Sequence, residues 1–432
     1  MSNLEQKLRK RKAVVGIVGL GYVGLPLALA FSKAGFQVLG FDIQQKRVDW
    51  VNKGHSYIVD VDSKSLSSEI ADKRLEATTD QRRIKEVNAI CICVPTPLTK
   101  TKDPDLSAVI HQSGQISKYL QPGQLVVLES TTHPGTTREV MLPILERSGL
   151  KAGRDFYLAF SPERVDPGSK NYNIKNTPKV VGGIDSKSTK VAELLYSQVV
   201  DVVVPVSSPE VAEMTKVFEN VFRNVNIALV NELTLLCDKM GISVWEVIDS
   251  AATKPFGYMP FYPGPGIGGH CIPLDPYYLA NKAREYDFHT RFIELAADIN
   301  EQMPYYVVSR IMEALNVKGK SLKKAKVLVL GVAYKRDVED IRESPSLKLI
   351  ELLREKGANV RYNDPYVPKI KISDGMLASV GLTERQLSSA DCVVIATDHT
   401  CYDYKYIAKK SGFVFDARGA TRKLRNRNII RL

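Results

Sequence analysis

A glycine-rich turn near the start of the chain constrains the fold more than any other feature. The apolar run AVVGIV, residues 13–18, predicts a strand, and the segment from about Leu25 predicts a helix. Between them Gly19, Gly21 and Gly24 form the spacing Gly-x-Gly-x-x-Gly. A strand, this glycine pattern and a helix, in that order, predict the first βαβ unit of a doubly wound sheet, with a diphosphate bound at the helix N-terminus.

The next strand indicates the cofactor. Asp42 closes QVLGFD at the offset where dinucleotide-binding folds carry an acidic side chain. Such a carboxylate accepts hydrogen bonds from ribose hydroxyls and repels a 2′-phosphate, which favours NAD over NADP. Arg47 nearby is a further candidate cofactor contact and keeps NADP open. Tyr22 and Val23 in the turn are further predicted cofactor contacts, and Thr96 in the loop VPTP either contacts the cofactor or closes a turn.

The chain divides by its sequence pattern into three parts. Short apolar runs alternate with helical patterns over 1–207, which predicts a parallel α/β domain. Apolar spacings of three and four predict long helices over 208–317, and a second α/β pattern occupies 318–432. We therefore expect an α/β protein with two Rossmann-like doubly wound domains joined by a central helical region.

The first long helix of the central region carries an apolar stripe. Its members are Val211, Met214, Val217, Phe218, Val221, Phe222 and Val225. We interpret the stripe as core packing rather than as a binding groove, because helices ordinarily bury such a face. A helix of this length also often bridges domains or packs against a symmetry mate, so we expect a homodimer or a higher homo-oligomer.

Composition and charge narrow the class of protein. Hydrophobic residues make up 44% and charged residues 25% of the chain, which excludes a disordered or collagen-like protein. The net charge of +12 suits a polyanionic partner, but much of the excess lies in two short runs, Lys318–Lys326 and Arg418–Arg431, without a recognisable nucleic-acid module. A basic surface that serves small anionic ligands explains the charge, and we expect no nucleic-acid partner.

Two further patterns concern location and metals. No stretch after the glycine turn is long and apolar enough to span a bilayer, so we expect no membrane segment. Six cysteines without a CxxC pair indicate reduced thiols and a cytoplasmic location. No metal-ligand cluster is visible in the sequence, and we expect no metal.

The loop GPGIGGHCIPLDP, residues 264–276, surrounds Cys271 with glycine and proline. Glycine permits close approach of a ligand and proline removes backbone freedom, which predicts a constrained loop. Its thiol is either a buried structural cysteine or a reactive nucleophile. Asp275, four residues on, either orients a neighbour or contributes to the turn.

Several motifs in order resemble the UDP-glucose/GDP-mannose dehydrogenase family. They are the glycine turn, Ser130-Thr131, Ser161-Pro162-Glu163, Lys216 with Asn220, GGHCIPLD at 268–275, and AYK at 333–335. The resemblance covers nearly the whole chain and is strongest to the branch that acts on UDP-N-acetylhexosamines. It implies an N-terminal NAD domain, a helical dimerisation region and a C-terminal nucleotide-sugar domain.

The resemblance implies a four-electron oxidation of the C6 alcohol of the sugar to a carboxylate, with two NAD consumed per sugar. Cys271 attacks the intermediate aldehyde to give a thiohemiacetal, and a second oxidation gives a thioester that water hydrolyses. Cysteine suits this chemistry because it is a strong nucleophile and a good leaving group. The expected substrate is UDP-N-acetylglucosamine, with UDP-N-acetylmannosamine as the alternative.

The resemblance also assigns roles to the residues around this cysteine. Lys216 and Asn220 bracket the reacting oxygen, and their spacing of four places them on one face of a helix. A solvated helix position is the alternative for Lys216. Glu163 is the candidate general base for thioester hydrolysis, and Asp275 and Thr131 position water or proton carriers. Thr131 is in addition a candidate cofactor contact.

Substrate contacts are assigned in the same way. Lys335 and Arg418 match family positions that contact the nucleotide, where cations suit a pyrophosphate, although Arg418 is alternatively a surface charge. Tyr262 and Arg291 are candidates for the sugar pocket. The remaining candidate substrate contacts are Glu163, Arg164, Lys216, Asn220 and Gly268.

Two departures from the family pattern bear on the substrate. Leu274 stands where UDP-glucose enzymes have a lysine, and ESTTHPGTT at 129–137 replaces the usual KSTVPVGT. Both argue against UDP-glucose, and neither removes a group that the chemistry needs. A two-electron hydroxyacid dehydrogenase and a non-catalytic NAD-binding regulatory module are the remaining alternatives; the first has no need of Cys271, and the second has no need of the catalytic set.

Overall fold

The computed structural model describes residues 2–58, 60–99, 102–165, 171–269 and 271–432. Two compact units divide the chain. The N-terminal unit contains Met1–Glu219 with Tyr277–Phe288, and the C-terminal unit contains Asn220–Pro276 with His289–Leu432.

Eight strands form the sheet of the N-terminal unit. They are Val14–Val18 (β1), Gln37–Phe41 (β2), Leu75–Thr78 (β3), Ala89–Ile92 (β4), Leu125–Leu128 (β5), Tyr157–Phe160 (β6), Lys179–Gly183 (β7) and Val203–Val206 (β8). Their order is β3-β2-β1-β4-β5-β6-β7-β8, and neighbours are parallel except β6 and β7. The strand order reverses beside β1, where open α/β sheets bind ligands at the carboxyl ends of the strands.

Helices cover both faces of this sheet. They are Asn3–Arg9 (α1), Gly24–Lys33 (α2), Gln45–Asn52 (α3), Ser63–Ala71 (α4), Ser107–Tyr119 (α5), Leu142–Leu145 (α6) and Ser186–Tyr196 (α7). The strand β4 shows why two layers are needed, because all four of its residues are buried. Cys91 packs in one apolar core, whereas Ile90 and Ile92 pack in a second one, as the alternation of side chains along a strand requires.

A single helix of 32 residues, Pro209–Met240 (α8), begins in the N-terminal unit and ends in the C-terminal unit. Core packing of its apolar stripe is confirmed for Val217 and Val221, which are buried. The same interpretation is wrong for Val211, Met214, Phe218 and Phe222, which are exposed. Only part of the apolar stripe is therefore buried by other residues of the chain, and the rest of it is exposed.

The C-terminal unit combines helices with a second parallel sheet. Its helices are Val244–Ala251 (α9), Arg291–Val317 (α11), Pro345–Glu355 (α12), Glu384–Ser389 (α13) and Tyr404–Lys410 (α14), while Asp275–Arg284 (α10) runs from this unit into the other. Its strands are Lys326–Leu330 (β9), Asn359–Asn363 (β10), Lys369–Ile372 (β11), Gly375–Ala378 (β12), Cys392–Ile395 (β13), Val414–Asp416 (β14) and Ile429–Arg431 (β15).

The main sheet of this unit has the order β10-β9-β13-β14-β15, and all its neighbours are parallel. A separate antiparallel ribbon is formed by β11 and β12. As β1 does in the first sheet, β9 lies where the strand order reverses. The predicted fold class, α/β with two Rossmann-like doubly wound sheets, is confirmed.

Three general features accompany the fold. All six cysteines are free thiols, and four of them are buried. No helix within the described ranges is both long and apolar enough to cross a membrane. The same residues contain no group of three or more His, Cys, Asp or Glu side chains that could hold a metal ion.

Candidate active site

The geometry of the glycine turn in the N-terminal unit shows why each of its three positions is a glycine. Gly19 has a φ of +94°, and a Cβ there would lie 2.6 Å from the carbonyl oxygen of Cys93. A Cβ on Gly24 would lie 1.8 Å from the carbonyl oxygen of Gly19. A Cβ on Gly21 would meet no atom within 4 Å. Gly19 and Gly24 are therefore required by the fold itself, whereas Gly21 leaves open space against the backbone, as a bound diphosphate needs.

Asp42 directly succeeds β2 and is buried beside this turn. Its Oδ2 accepts a hydrogen bond of 3.0 Å from the backbone N–H of Leu20, and its Oδ1 accepts one of 2.9 Å from Gln44. Arg47 forms an ion pair of 3.3 Å with the same carboxylate. The two side chains that bear on the choice between NAD and NADP are therefore joined to each other. Tyr22 is exposed in the turn, and Val23 directly precedes α2.

The loops after β4 and β5 are tied together. The hydroxyl of Thr96 donates to the carbonyl oxygen of Thr131 at 2.8 Å, and Ser130 donates to the carbonyl oxygen of Val94 at 2.7 Å. Tyr278 in turn donates to the carbonyl oxygen of Thr96. The structure thus gives the Thr96 hydroxyl a role in closing the loop, and it leaves Thr131 half-buried at the carboxyl end of the sheet.

Glu163 lies in the turn after β6. Its Oε1 accepts hydrogen bonds of 2.7 Å from the backbone N–H groups of Arg164 and Val165. Arg164, predicted as a substrate contact, forms an ion pair of 2.6 Å with Glu219 and donates to the carbonyl oxygen of Pro178. Its guanidinium therefore holds the turn in place within the unit, and Glu163 remains only partly buried.

Lys216 and Asn220 lie one turn apart on α8, as predicted. Lys216 is only 9% exposed, and no carboxylate of the described residues lies within ion-pair distance of it. Burial of a cation without a carboxylate is costly, which favours an anionic or polar ligand near this ammonium. The solvated alternative for Lys216 is not what the structure shows.

The cysteine loop of the C-terminal unit is held by α8. Asn220 donates to Asp275 Oδ2 at 2.5 Å, and Asn224 donates to the carbonyl oxygen of Ile272 at 3.2 Å. The N–H of Asp275 bonds the carbonyl oxygen of Cys271 at 2.9 Å, where α10 begins. The structure therefore brings three predicted residues, Asn220, Cys271 and Asp275, into one bonded segment. His270 of the predicted motif lies outside the described residues.

The glycines of this loop serve close packing. A Cβ on Gly268 would lie 2.7 Å from the Cβ of Tyr334, and Gly269 has a φ of +93° against the ring of Tyr334. The loop thus packs on the segment that carries Lys335. Cys271 is half-buried, whereas the buried thiols Cys91 and Cys392 have pKa values raised by burial. Cys271 has the partial access that a reactive thiol requires.

A basic pocket of 640 Å³ lies at the carboxyl ends of β13 and β14. It is lined by the cations Arg336, Lys405, Arg418, Arg422 and Lys423 and by the aromatic rings of Trp245, Tyr262, Tyr402 and Tyr404. The carboxylates of Asp398 and Asp403 also line the pocket, but its five cations outnumber them. With the aromatic rings, these cations suit a nucleotide diphosphate, because arginine binds phosphate bidentately and aromatic rings pack against bases.

Arg418 is fixed within this pocket. Its Nε donates to the carbonyl oxygen of Ala396 at 3.0 Å, and a Cβ on Gly264 would lie 2.7 Å from its Nη1. Burial lowers the pKa of Arg418, although the carboxylate of Asp398 opposes this. The alternative of a simple surface charge does not fit these contacts.

The two candidates for the sugar pocket, Tyr262 and Arg291, lie in different environments. Tyr262 stacks on Trp245 at 6.0 Å between centroids, donates to Asp249 at 2.8 Å and lies under Arg422. Arg291 is exposed at the start of α11 and does not line the pocket. The structure therefore gives Tyr262 a place in the pocket wall and separates Arg291 from that pocket.

One group of polar residues was not predicted from the sequence. Lys179, Glu129 and Tyr196 form a buried network next to Glu163. The sequence feature that could have revealed them is a charged residue directly beside an apolar strand, as in LVVLE at 125–129 and KVV at 179–181. The chain positions are far apart, so the partnership is visible only in the fold.

Comparison with known proteins gives one consistent answer. Residues 13–200, 210–302 and 328–423 match the NAD binding, central and UDP binding domains of the UDP-glucose/GDP-mannose dehydrogenase family. A UDP-N-acetyl-D-mannosamine dehydrogenase of Pyrococcus horikoshii is 38% identical over 386 residues, 89% of each chain. A UDP-N-acetyl-D-glucosamine 6-dehydrogenase of Pseudomonas aeruginosa is 35% identical over 413 residues, 91% of this chain and 96% of the relative.

The solved structure of the UDP-D-ManNAc dehydrogenase from Pyrococcus horikoshii matches with a TM-score of 0.88 at 35% identity, covering 97% of this chain and 98% of the other. The solved NDP-N-acetyl-D-galactosaminuronic acid dehydrogenase from Methanosarcina mazei matches with a TM-score of 0.81 at 34% identity, covering 100% and 97%. With these matches and the geometry above, the chain belongs to the UDP-glucose/GDP-mannose dehydrogenase family and is an NAD-dependent nucleotide-sugar dehydrogenase.

Proposed function

We propose that the enzyme oxidises the C6 hydroxymethyl group of a UDP-N-acetylhexosamine to a carboxylate through a covalent intermediate on Cys271. The observation that carries this proposal is the construction of the cysteine loop. A half-buried thiol lies four residues before α10, and Asp275, the first residue of that helix, is hydrogen-bonded to Asn220. A two-electron alcohol dehydrogenase needs no such thiol.

The N-terminal unit fits NAD. The open space at Gly21, the N-terminus of α2 and Asp42 are the groups that we propose to hold the diphosphate and the ribose, with Thr131 near the carboxyl end of β5. When bound, NAD supplies the hydride acceptor for both oxidations. We propose NAD rather than NADP because Asp42 opposes a 2′-phosphate, and Arg47 is engaged by that carboxylate.

The residues of the chain are proposed to act in sequence. Lys216 and Asn220 are proposed to hold the C6 oxygen while the alcohol proton passes to water positioned by Asp275 and Thr131. The C6 hydrogen would leave as the hydride that bound NAD accepts, which gives the aldehyde.

The Sγ of Cys271 then adds to the aldehyde carbon and forms a thiohemiacetal, which the second oxidation converts to a thioester. Water attacks the thioester carbonyl, Glu163 takes a proton from that water, and the C–S bond breaks to release the carboxylic acid and the Cys271 thiolate; the acid then loses its remaining proton to solvent.

The substrate within the class is proposed to be UDP-N-acetylglucosamine, as the motifs indicate. UDP-N-acetylmannosamine, its epimer at C2, is a second candidate, favoured by the Pyrococcus horikoshii relative and its solved structure. The two sugars share C6, so the chemistry at Cys271 is common to both. Initial rates with the two epimers, UDP-glucose and UDP-N-acetylgalactosamine separate the candidates directly.

The organisation of the protein is proposed to match the sequence pattern. Residues 1–207 bind NAD, 208–317 carry the cysteine loop and dimerise, and 318–432 bind the UDP-sugar; the three matched family domains support this division. The exposed apolar side chains of α8, such as Phe222, Leu229 and Leu236, support a homodimer. The free thiols support a cytoplasmic location.

The test of the proposed function is the stoichiometry of the reaction. With limiting UDP-N-acetylhexosamine and excess NAD, the enzyme should form about two NADH per sugar, because each NAD accepts one hydride. Mass spectrometry of the sugar product should show the acid rather than the aldehyde. One NADH per sugar would instead identify a two-electron dehydrogenase and would overturn the role of Cys271.

A further inference from the structure

A buried network lies directly beneath the turn that carries Glu163. Its members are Lys179 at the start of β7, Glu129 after β5 and Tyr196 at the end of α7; we call it the Lys179 network. The three residues are 5%, 1% and 0% exposed. The Nζ of Lys179 lies 2.7 Å from Glu129 Oε2, and the hydroxyl of Tyr196 donates to Glu129 Oε1 at 2.5 Å. Charged groups so deeply buried are uncommon unless they are paired.

The ammonium of Lys179 does more than pair with Glu129. It donates to the carbonyl oxygen of Pro162 at 3.2 Å, and it lies 4.0 Å from Glu163 Oε2. An ammonium has three donors, so two are used by Glu129 and Pro162, and one side of the group faces Glu163. Lys179 therefore contacts both the backbone and the carboxylate of the turn.

The other oxygen of Glu163 is fixed from the opposite side. Oε1 accepts hydrogen bonds from the backbone N–H groups of Arg164 and Val165, both at 2.7 Å. Ser161, at the start of the turn, donates to the carbonyl oxygen of Val180 beside Lys179 at 2.8 Å. The carboxylate is thus held in one orientation, with Oε1 bound to the backbone and Oε2 toward Lys179.

The charges explain why Glu129 is part of the arrangement. Burial alone would lower the pKa of Lys179, but the carboxylates of Glu129 and Glu163 outweigh it and raise that pKa, so the ammonium stays charged. Glu129 compensates the buried cation, and Tyr196 fixes Glu129. A buried ion pair of this kind contributes little stability compared with an apolar pair of the same volume. Its position against Glu163 is the more informative property.

We propose that Lys179 is a positioning residue, which with Glu129 and Tyr196 orients Glu163 for hydrolysis of the thioester. The inference rests on the proposed function. Hydrolysis needs water to be deprotonated at one place, and a misplacement of about 1 Å costs roughly 100-fold in rate. The two oxidations do not use Glu163 as a base. Loss of Lys179 should therefore slow hydrolysis selectively, so that the acyl group stays on Cys271.

The test uses the full-length enzyme with the double variant Lys179→Met/Glu129→Gln. Removing both charges avoids leaving a buried carboxylate without a partner. After mixing with NAD and UDP-N-acetylhexosamine, the variant should form a burst of about two NADH per active site and then turn over on the order of 10- to 100-fold more slowly than wild type. Intact-protein mass spectrometry should find the sugar acyl group attached to the enzyme during the slow phase.

Two further variants separate positioning from folding. Lys179→Arg keeps a cation beneath the turn and should restore turnover and remove most of the adduct. Val181→Ala shortens a buried side chain on the same strand and should lower the melting temperature without a burst or an adduct. Should that double variant fail to fold, Lys179→Gln/Glu129→Gln, which keeps a hydrogen-bond donor at position 179 and leaves no buried carboxylate without a partner, gives the same two readouts.

The outcomes distinguish this inference from the proposed function. Glu163→Gln should accumulate the same adduct, and adding Cys271→Ser should abolish it. If Glu163→Gln accumulates the adduct but the Lys179 variants do not, the positioning role is wrong and the function stands. If neither Glu163→Gln nor the Lys179 variants form an adduct while turnover continues, the thioester route itself is wrong.

Discussion

The main sheets of the two units carry the same turn after the central strand at which the strand order reverses, but the turns have different surroundings. Gly19 comes directly after β1 with a φ of +94°, and Gly331 comes directly after β9 with a φ of +81°. Each turn is hydrogen-bonded by an aspartate that directly follows the neighbouring strand. Asp42 accepts from the N–H of Leu20, and Asp364 accepts from the N–H of Val332 at 2.7 Å.

The two turns differ in the chain segment beyond each glycine. In the N-terminal unit α2 begins at Gly24, five residues after Gly19, so a helix N-terminus faces the open space at Gly21. In the C-terminal unit α12 begins only at Pro345, and the intervening chain packs on the cysteine loop. The same strand order therefore presents a helix N-terminus for a diphosphate in one unit and a basic pocket in the other.

The two aspartates differ in how many hydrogen bonds they accept from the protein itself. Asp364 accepts hydrogen bonds from four backbone N–H groups and from Nε2 of His399, which lies 3.0 Å away. Its oxygens are occupied by the protein itself. Asp42 accepts from two backbone groups and from Arg47, whose side chain is 36% exposed. We therefore expect ribose to bind at Asp42 and not at Asp364, because the protein itself donates fewer hydrogen bonds to Asp42.

The largest expected effect comes from the loop found only in the C-terminal unit. Cys271→Ser keeps the size of the side chain but is a much weaker nucleophile and a poorer leaving group, so turnover should fall on the order of a thousandfold or more. NAD affinity should stay unchanged, because the glycine turn belongs to the other unit. Steady-state NADH formation and an NAD titration measure both. Near-normal formation of two NADH per sugar would exclude covalent catalysis at this residue.

The next effect separates the ligands of the two units. Arg418→Met should weaken binding of the UDP-sugar by about 2 kcal/mol, roughly 30-fold, because one buried charged contact is lost. NAD affinity should change little. Arg354→Met is the matched control, since Arg354 forms a surface ion pair with Asp374 in the same unit. Calorimetric titration with each ligand is the measurement, and equal losses for both ligands would place Arg418 outside the nucleotide site.

These contrasts also show how far the sequence predicts the molecule. The glycine turn is predicted residue by residue because Gly19 and Gly24 are required by contacts within a few residues and with the neighbouring strand. The apolar stripe of α8 is predicted as a stripe, but periodicity does not tell which part the chain covers, and Phe218 is exposed while Val217 is buried. Lys179 and Glu129 are 50 residues apart and meet only through the strand order.

Substitution by alanine should have different effects at the two kinds of glycine, lowering NAD affinity at one and stability at the other. Gly21→Ala has room in the fold, so stability should be retained while NAD affinity falls roughly tenfold or more, because the methyl group occupies the space for the diphosphate. Gly19→Ala and Gly331→Ala meet backbone atoms at a positive φ and should each lose about 1–3 kcal/mol of stability. Urea unfolding and NAD titration give the two quantities. Unchanged NAD affinity in Gly21→Ala would contradict the proposed diphosphate site.

The smallest effect concerns the pH dependence of stability and depends on Asp364. Burial alone would raise the pKa of Asp364, but hydrogen bonds from His399 and from backbone N–H groups outweigh it and lower that pKa. A lowered pKa in the folded state contributes stability that is complete above the unfolded pKa of about 3.9 and is lost as pH falls through the folded value.

Asp364→Asn should therefore cost about 1–3 kcal/mol of unfolding free energy at pH 7, and the difference from wild type should shrink as the pH approaches and passes below about 4. Urea unfolding of the two full-length proteins from pH 7 downward measures this convergence. Asp42→Asn is the matched control in the other sheet, where the main expected change is a weaker preference for NAD over NADP. Curves for wild type and Asp364→Asn that remain parallel down to about pH 3.5, below the unfolded pKa, would show that the Asp364 bonds do not require its charge.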